Sequence, residues 1–151
     1  MILVKKKQLS SSLEDYLETI YNLSQEGKVA RSRDIAQILG VAPASVSGAL
    51  KLLANKDLID YQPYGFIRMT DKGYQLAKTV VERHNIITTF FVNVLGVEKE
   101  QAEQVACKAE HTLGPEIISK LLDFTEFSTF YSDKGVDITA EFKKYCRSKG
   151  I

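Results

Sequence analysis

Both histidines of this chain stand beside other groups that bind metals. His111 closes the run Cys107-x-x-Glu110-His111, His84 lies on an earlier stretch, and Asp15-x-x-Glu18 lies near the N-terminus. Thiolate, imidazole and carboxylate are all ligands for divalent first-row metals. Three separate segments therefore offer donors of one chemistry. Each residue also has a plainer reading. A single helical histidine is usually not a ligand, Cys107 can be a small core residue, and Glu110 or Glu103 can be solvated or pair with Lys108 or Lys99. The conjunction favours a metal, because one short spacing holds thiol, carboxylate and imidazole.

These donors need helices to hold them. Ser11-x-x-Glu14, followed by Ser12-x-x-Asp15, is a capping-box signature, and Leu13, Tyr16, Leu17, Ile20 and Leu23 recur at helical spacing up to Gly27. Asp15 and Glu18, three apart, share one face beside that stripe. A long helical pattern over 71–95 carries His84, with Tyr74, Ala77, Val80, Val81, Ile87, Phe90, Phe91 and Val94 as its apolar positions. Another covers 98–113, and a third covers 116–127 behind Gly114-Pro115. At 100° per residue, Glu103, Cys107, Glu110 and His111 fall within an arc of about 100°. Ala102, Val105, Ala106, Ala109 and Leu113 occupy the neighbouring arc, so the donors lie along the edge of a buried face. The tail from Ser132 is weakly patterned, with Phe142 and Tyr145 as docking residues, and Cys146 has no partner motif.

Between the first donor pair and the others lies a different pattern. Ser32 is placed to cap a short helix over 33–39, Gly40-Val41 makes a tight turn, and Pro43 suits the first position of a helix over 43–55, where its missing N–H would be unpaired anyway. Helix, glycine turn, helix is a helix-turn-helix. Residues 58–62 and 66–70 then read as two strands around Pro63-Tyr64-Gly65, a hairpin placed as a wing. The second helix would enter the major groove. Its early residues Pro43, Ala44, Ser45 and Ser47 are small and lack the Arg, Asn or Gln that read bases bidentately. Modest direct readout plus shape recognition is expected, with Arg31, Arg33, Lys51, Arg68 and Lys72 on phosphates. The plain alternative for these cations is a solvated face.

Composition sets the bounds. The chain has 151 residues, 44% hydrophobic and 26% charged, as in an ordinary soluble protein. The net charge of +1 gives no global pull toward nucleic acid, and residues 1–72 hold 10 Lys/Arg against 8 Asp/Glu, the rest 10 against 11. Any DNA affinity must come from a local patch. No apolar run approaches the roughly 18 residues of a membrane span, and the start, apolar before Lys5-Lys6-Lys7, is the reverse of a secretory signal. Two distant cysteines form no disulfide framework. A cytoplasmic protein without membrane contact is expected. The fold expected is mainly α with a small β-hairpin wing: a winged helix-turn-helix DNA-binding domain at 1–73 and a helical metal-binding and dimerisation domain at 74–151. The second domain is too small to bury its apolar residues alone, so a homodimer is expected.

Taken together, Leu13-Glu14-Asp15-Tyr16-Leu17-Glu18-x-Ile20-Tyr21, Asp34-Ile35-Ala36, Pro43-x-Ser45-Val46, Thr70-x-Lys72-Gly73, Arg83-His84 and Glu110-His111 resemble the diphtheria-toxin-repressor and manganese-transport-regulator (DtxR/MntR) family of metal-dependent repressors, over roughly residues 10–130. In size the chain is similar to the shorter manganese regulators, without the SH3-like domain of longer iron-responsive members. The resemblance implies a hybrid site. Asp15 and Glu18 match the manganese branch, Cys107 matches the iron branch, and His84, Glu110 and His111 match ligands of both. Thr88 stands where a carboxylate often occurs and Glu103 where the iron branch has a histidine, which leaves Glu103 as a candidate for a second metal. A thiolate moves preference from Mn²⁺ toward Fe²⁺, Co²⁺, Ni²⁺ and Zn²⁺, and the carboxylates pull back toward Mn²⁺ and Fe²⁺. Fe²⁺ is favoured slightly over Mn²⁺.

The function so implied is a homodimeric repressor on a double-stranded operator, controlling metal-homeostasis genes. Metal would offset the charge between the first-domain carboxylates and the other donors, and clamp the DNA-binding domain to the dimerisation domain. Because the ligands bind metal deprotonated, the response is expected to depend on pH. A metal-independent winged-helix regulator sensing another ligand is the alternative. A metalloenzyme is a weaker one, since no catalytic signature accompanies the donors, and no small organic substrate is expected.

Overall fold

The computed structural model describes residues 9–27, 29–62 and 65–150. The expected hairpin residues Pro63 and Tyr64, and the basic start of the chain, lie outside them. By internal packing the chain divides into two compact units, 1–81 and 82–151.

In the first unit, α1 (Ser11–Gln25) is capped by Ser10, whose hydroxyl accepts from the Leu13 N–H at 3.4 Å. The cap thus falls one residue before the expected Ser11. Each serine of the run 10–12 has the chemistry to cap, and the sequence rule does not discriminate among them. Tyr16, Leu17, Ile20 and Leu23 are buried as their spacing requires. The second helix, α2 (Ser32–Leu39), begins on Ser32 itself, with Arg31 at the cap position and no side-chain cap bond. Gly40 ends it at φ 64°, and the Val41 N–H returns to the Ala36 carbonyl at 3.1 Å. That left-handed corner favours glycine. With Pro43 at its start, α3 (Pro43–Ala54) lies 113° from α2, an angle typical of a helix-turn-helix. Ile35, Val46, Leu50 and Leu53 are wholly buried and join the α1 stripe in one core.

The wing is shorter than expected. Strands β1 (Ile59–Asp60) and β2 (Arg68–Met69) pair antiparallel, Ile59 with Met69 and Asp60 with Arg68. An isolated bridge, Ala30 with Ile67, adds a third line of pairing. Ile59, Ile67 and Ala30 face the core while Asp60 and Arg68 are exposed, so the alternation holds through the pleat.

The end of α3 is fastened to the start of the next helix, α4 (Asp71–Thr89). After α3, Asp57 takes φ 58° and the Leu58 N–H returns to the Leu53 carbonyl at 3.1 Å. The Thr70 hydroxyl donates to the Asp57 carbonyl at 2.7 Å and accepts from the Gly73 N–H at 3.0 Å. The Lys72 ammonium donates to the Lys56 carbonyl at 2.7 Å, placing a cation near the negative end of α3. Gly73 is a buried helical residue, and a Cβ there would overlap the Leu58 carbonyl oxygen. A Thr70→Val variant loses both hydroxyl bonds. It is expected to unfold about 1–2 kcal/mol more easily in urea.

In the second unit, α4 does not remain α-helical to residue 95. It ends at Thr89 and widens into a π-helical turn, Phe90–Val94, in which the Leu95 N–H reaches the Phe90 carbonyl at 3.2 Å. There follow α5 (Lys99–Ala109), α6 (Pro115–Ser132) and α7 (Ile138–Ser148). The polar tail is thus partly a helix, capped by the Asp137 carboxylate, which accepts from the Ala140 N–H at 2.9 Å. Ile87, Ala106 and Ile118 form this unit's small core. Val105, expected to pack, is exposed, and so are Ile117, Leu122, Phe124, Phe127 and Phe130 of α6. Rings of Phe90, Phe124, Phe127 and Tyr131 run in edge or tilted contact at 4.7–6.1 Å. Among the described residues no single helix is long and apolar enough to cross a membrane.

Candidate metal centre and nucleic-acid interface

Within the second unit, three of the expected donors meet. The Nδ1 of His84, on α4, lies 2.7 Å from the Glu110 Oε2. Glu110 stands at the C-cap of α5, and the turn behind it is held by the Thr112 and Leu113 N–H groups on the Ala109 carbonyl at 3.0 and 2.9 Å. The chain keeps helical dihedrals at Glu110, so His111 still follows Cys107 by about one turn although α5 has formally ended. The Nε2 of His111 is 3.4 Å from the Glu110 Oε1.

The burial of Glu110 differs from expectation. The spacing put it at the edge of a buried face, yet its side chain is 0% exposed, with His111 at 6% and His84 at 23%. A carboxylate out of water needs both oxygens satisfied. Oε2 has the His84 ring, but Oε1 makes no hydrogen bond, with the His111 Nε2 3.4 Å away. A buried carboxylate oxygen without a hydrogen bond, beside two imidazoles, fits a divalent cation. The His84 Nδ1 and the Glu110 carboxylate approach closely enough for one cation to take the place of the proton between them.

The other expected donors are placed as follows. Cys107 is exposed on α5, three residues before Glu110. Glu103 is exposed and paired with Lys99 at 3.7 Å, its plainer reading. The Thr88 hydroxyl, one turn after His84, is buried with no hydrogen bond. Asp15 and Glu18, on α1 of the first unit, are half-buried on either side of Tyr16 and Leu17, whose burial fixes the rotation of the helix.

The first unit also carries a concavity between the helix-turn-helix and the wing. Arg31, Arg33, Pro43, Ser47 and Lys51 line it, five of the nine residues expected on DNA. No carboxylate stands among its described lining residues, so the local field is positive although the whole chain is nearly neutral. Ala44 and Ser45 are exposed on the first turn of α3. Arg68 borders a different groove, and Lys72 makes the bond to Lys56 already described. Sequence reasoning missed Phe66 and Tyr61 in this lining. The signal for Phe66 was present: with Ile67 pointing inward, Phe66 and Arg68 must point outward.

Comparison with known proteins agrees with both halves. Residues 8–67 match the family model for the iron-dependent repressor N-terminal DNA-binding domain, and residues 70–138 match that for the iron-dependent repressor metal-binding and dimerisation domain. An uncharacterised helix-turn-helix transcriptional regulator of Methanocaldococcus jannaschii is 36% identical over 119 residues, 78% of this chain and 95% of its own length. The transcriptional regulator MntR of Bacillus pumilus is 32% identical, covering 88% of this chain and 92% of its own. Among solved structures, the manganese regulator SloR superposes with a TM-score of 0.68 at 29% identity, over 76% of this chain. The match spans 54% of that longer protein. The chain belongs to the iron-dependent repressor family, the DtxR/MntR group of metal-dependent, DNA-binding transcriptional repressors.

Proposed function

We propose that this chain is a homodimeric repressor that binds a double-stranded operator when loaded with Fe²⁺ or Mn²⁺, and that it acts in the cytoplasm as a binding protein and not as a catalyst. Its DNA-binding domain is residues 1–73 and its metal-binding and dimerisation domain residues 74–151. His84, Glu110, His111 and Cys107 are its metal ligands in the second domain. Asp15 and Glu18, matched to the family on α1, complete the donor set. The observation that carries this reading is the buried Glu110 carboxylate, short of one hydrogen bond and flanked by two imidazoles.

A divalent cation, when bound, supplies the positive charge that this carboxylate lacks. The residues do the rest. His84 Nδ1 stands beside Oε2 within reach of a shared ion, and Oε1 is the oxygen that makes no hydrogen bond. The turn after α5 holds His111 alongside, and Cys107 adds a soft donor that favours Fe²⁺ over Mn²⁺. On the DNA side, Arg31, Arg33, Lys51, Arg68 and Lys72 fit phosphates, and the small residues Pro43, Ala44, Ser45 and Ser47 allow close approach in the major groove. The exposed apolar residues of α6, Ile117, Leu122, Phe124, Phe127 and Phe130, fit the dimer interface. Covering one such side chain contributes about 1.5–3 kcal/mol.

The test is selection of duplexes from a random library by the whole protein, with chelator and then with anaerobic Fe²⁺ or Mn²⁺. Selected duplexes are expected to bind about a hundredfold tighter with metal, a coupling of about 2.7 kcal/mol. Equal affinity in chelator would refute the reading.

A further inference from the structure

We propose that Phe66 is a positioning residue for DNA binding, its ring holding the Arg31 guanidinium in place for one backbone phosphate of duplex DNA. The inference rests on the DNA-binding reading above. It starts from the isolated bridge between Ala30 and Ile67, in which the Ile67 N–H donates to the Ala30 carbonyl at 3.2 Å. Both bridge residues are buried, at 1% and 3% exposure. In an antiparallel pairing the next residues on each side, Arg31 and Phe66, stand opposite one another, and with the bridge pointing inward they point outward. The Arg31 Cζ lies 5.6 Å from the centroid of the Phe66 ring, within the range of a cation–π contact.

Three observations give the pair a purpose. Phe66 is 54% exposed, a position with no packing reason for a large apolar ring. Both residues line the concavity that also carries Arg33 and Lys51 and no described carboxylate. The Arg31 backbone is fixed as well, its carbonyl accepting from the Asp34 and Ile35 N–H groups at 3.0 and 3.1 Å. Only the side chain of Arg31 remains to be ordered, and the ring orders it without occupying its N–H donors. Arg31 also borders a second groove that holds Asp34. Without the ring, the guanidinium has a carboxylate to turn toward and is lost to the phosphate.

The experiment measures binding of the Mn²⁺-loaded full-length protein to a labelled mixed-sequence duplex by fluorescence anisotropy over a KCl series. Phe66→Ala is expected to weaken binding about threefold and to make the salt slope shallower by up to about 0.9, the value of one phosphate contact. Phe66→Leu, which keeps the bulk but not the ring face, is expected to behave like Phe66→Ala, and Phe66→Tyr like the parent. Arg31→Ala is expected to lose the same slope, and adding Phe66→Ala to it should cost nothing more. A parental slope in Phe66→Leu, or losses that multiply in the double variant, would overturn the inference while leaving DNA binding intact. A parent protein with no salt-dependent binding would overturn the DNA reading and this inference together.

Discussion

Replacing Glu110 by glutamine is expected to weaken Fe²⁺ or Mn²⁺ binding on the order of a hundredfold or more, beyond what is typical for losing an outer-shell partner of a metal ligand. It should also abolish the metal-dependent part of DNA binding. The metal-free protein should hardly notice. An amide is neutral, keeps one acceptor for His84 and adds donors, so chemical unfolding in chelator should shift by no more than about 1 kcal/mol. In the parent, metal at a hundred times its dissociation constant adds about 2.7 kcal/mol of stability. In the variant that gain should vanish. Isothermal titration and denaturant melts, each with and without metal, separate the two effects. If the variant instead collapses in chelator, or retains the metal-driven gain, Glu110 is a structural group and not a ligand. The argument turns on burial: its side chain is 0% exposed and Oε1 has no hydrogen bond. A carboxylate in such a place is costly to fold around unless a ligand repays part of the penalty.

Gly73→Ala is expected to destabilise the chain by about 3 kcal/mol, the upper end for overpacking. The new methyl would overlap the Leu58 carbonyl oxygen, a backbone atom that cannot rotate aside. Leu58 is itself held there, because its carbonyl accepts the Thr70 N–H at 3.1 Å and its own N–H is bound to Leu53. Relief therefore requires separating α4 from the turn behind α3. A melting temperature lower by about 6–12 °C would agree with that figure for a chain of this size. A change within about 0.5 kcal/mol, the range of an ordinary surface substitution, would show that the contact is not tight. In most helices Gly→Ala stabilises, so the two mechanisms predict opposite signs.

Where apolar spacing and turn chemistry act over a few neighbouring residues, the structure was legible in the sequence. The α1 stripe, the glycine corner at Gly40, Pro43 opening α3 and the pairing of residues 59–60 with 68–69 all follow local rules. What was not legible depends on contacts far apart in the chain. The Ala30–Ile67 bridge is one residue pair with no periodicity to announce it. The full burial of Glu110 comes from what packs around it, whereas an ideal helical wheel only places it at an edge. Two further differences were present in the sequence but under-read. Ile138, Phe142 and Tyr145 follow helical spacing behind Asp137, but residue 140 is alanine, so the capping-box rule does not flag α7. The third helix was expected over 116–127, yet Ser128 is buried inside a helix that continues to Ser132. Which of the α6 apolar side chains would stay uncovered was not legible either, because spacing identifies an apolar face without saying whether its own chain or a second copy covers it.

The wide turn at Phe90–Val94 has a consequence for the spacing between ligands. A π turn holds one residue more than the α turn it replaces, and such turns often occur near functional sites. This one lies between His84 and the stretch that carries Glu110 and His111. Excising a single residue from it would restore an ordinary helical ladder but rotate the exit of the chain by about 100°. The 2.7 Å meeting of imidazole and carboxylate thus depends on how many residues separate them as much as on which residues they are. A one-residue deletion there should cripple metal uptake while leaving every donor in place.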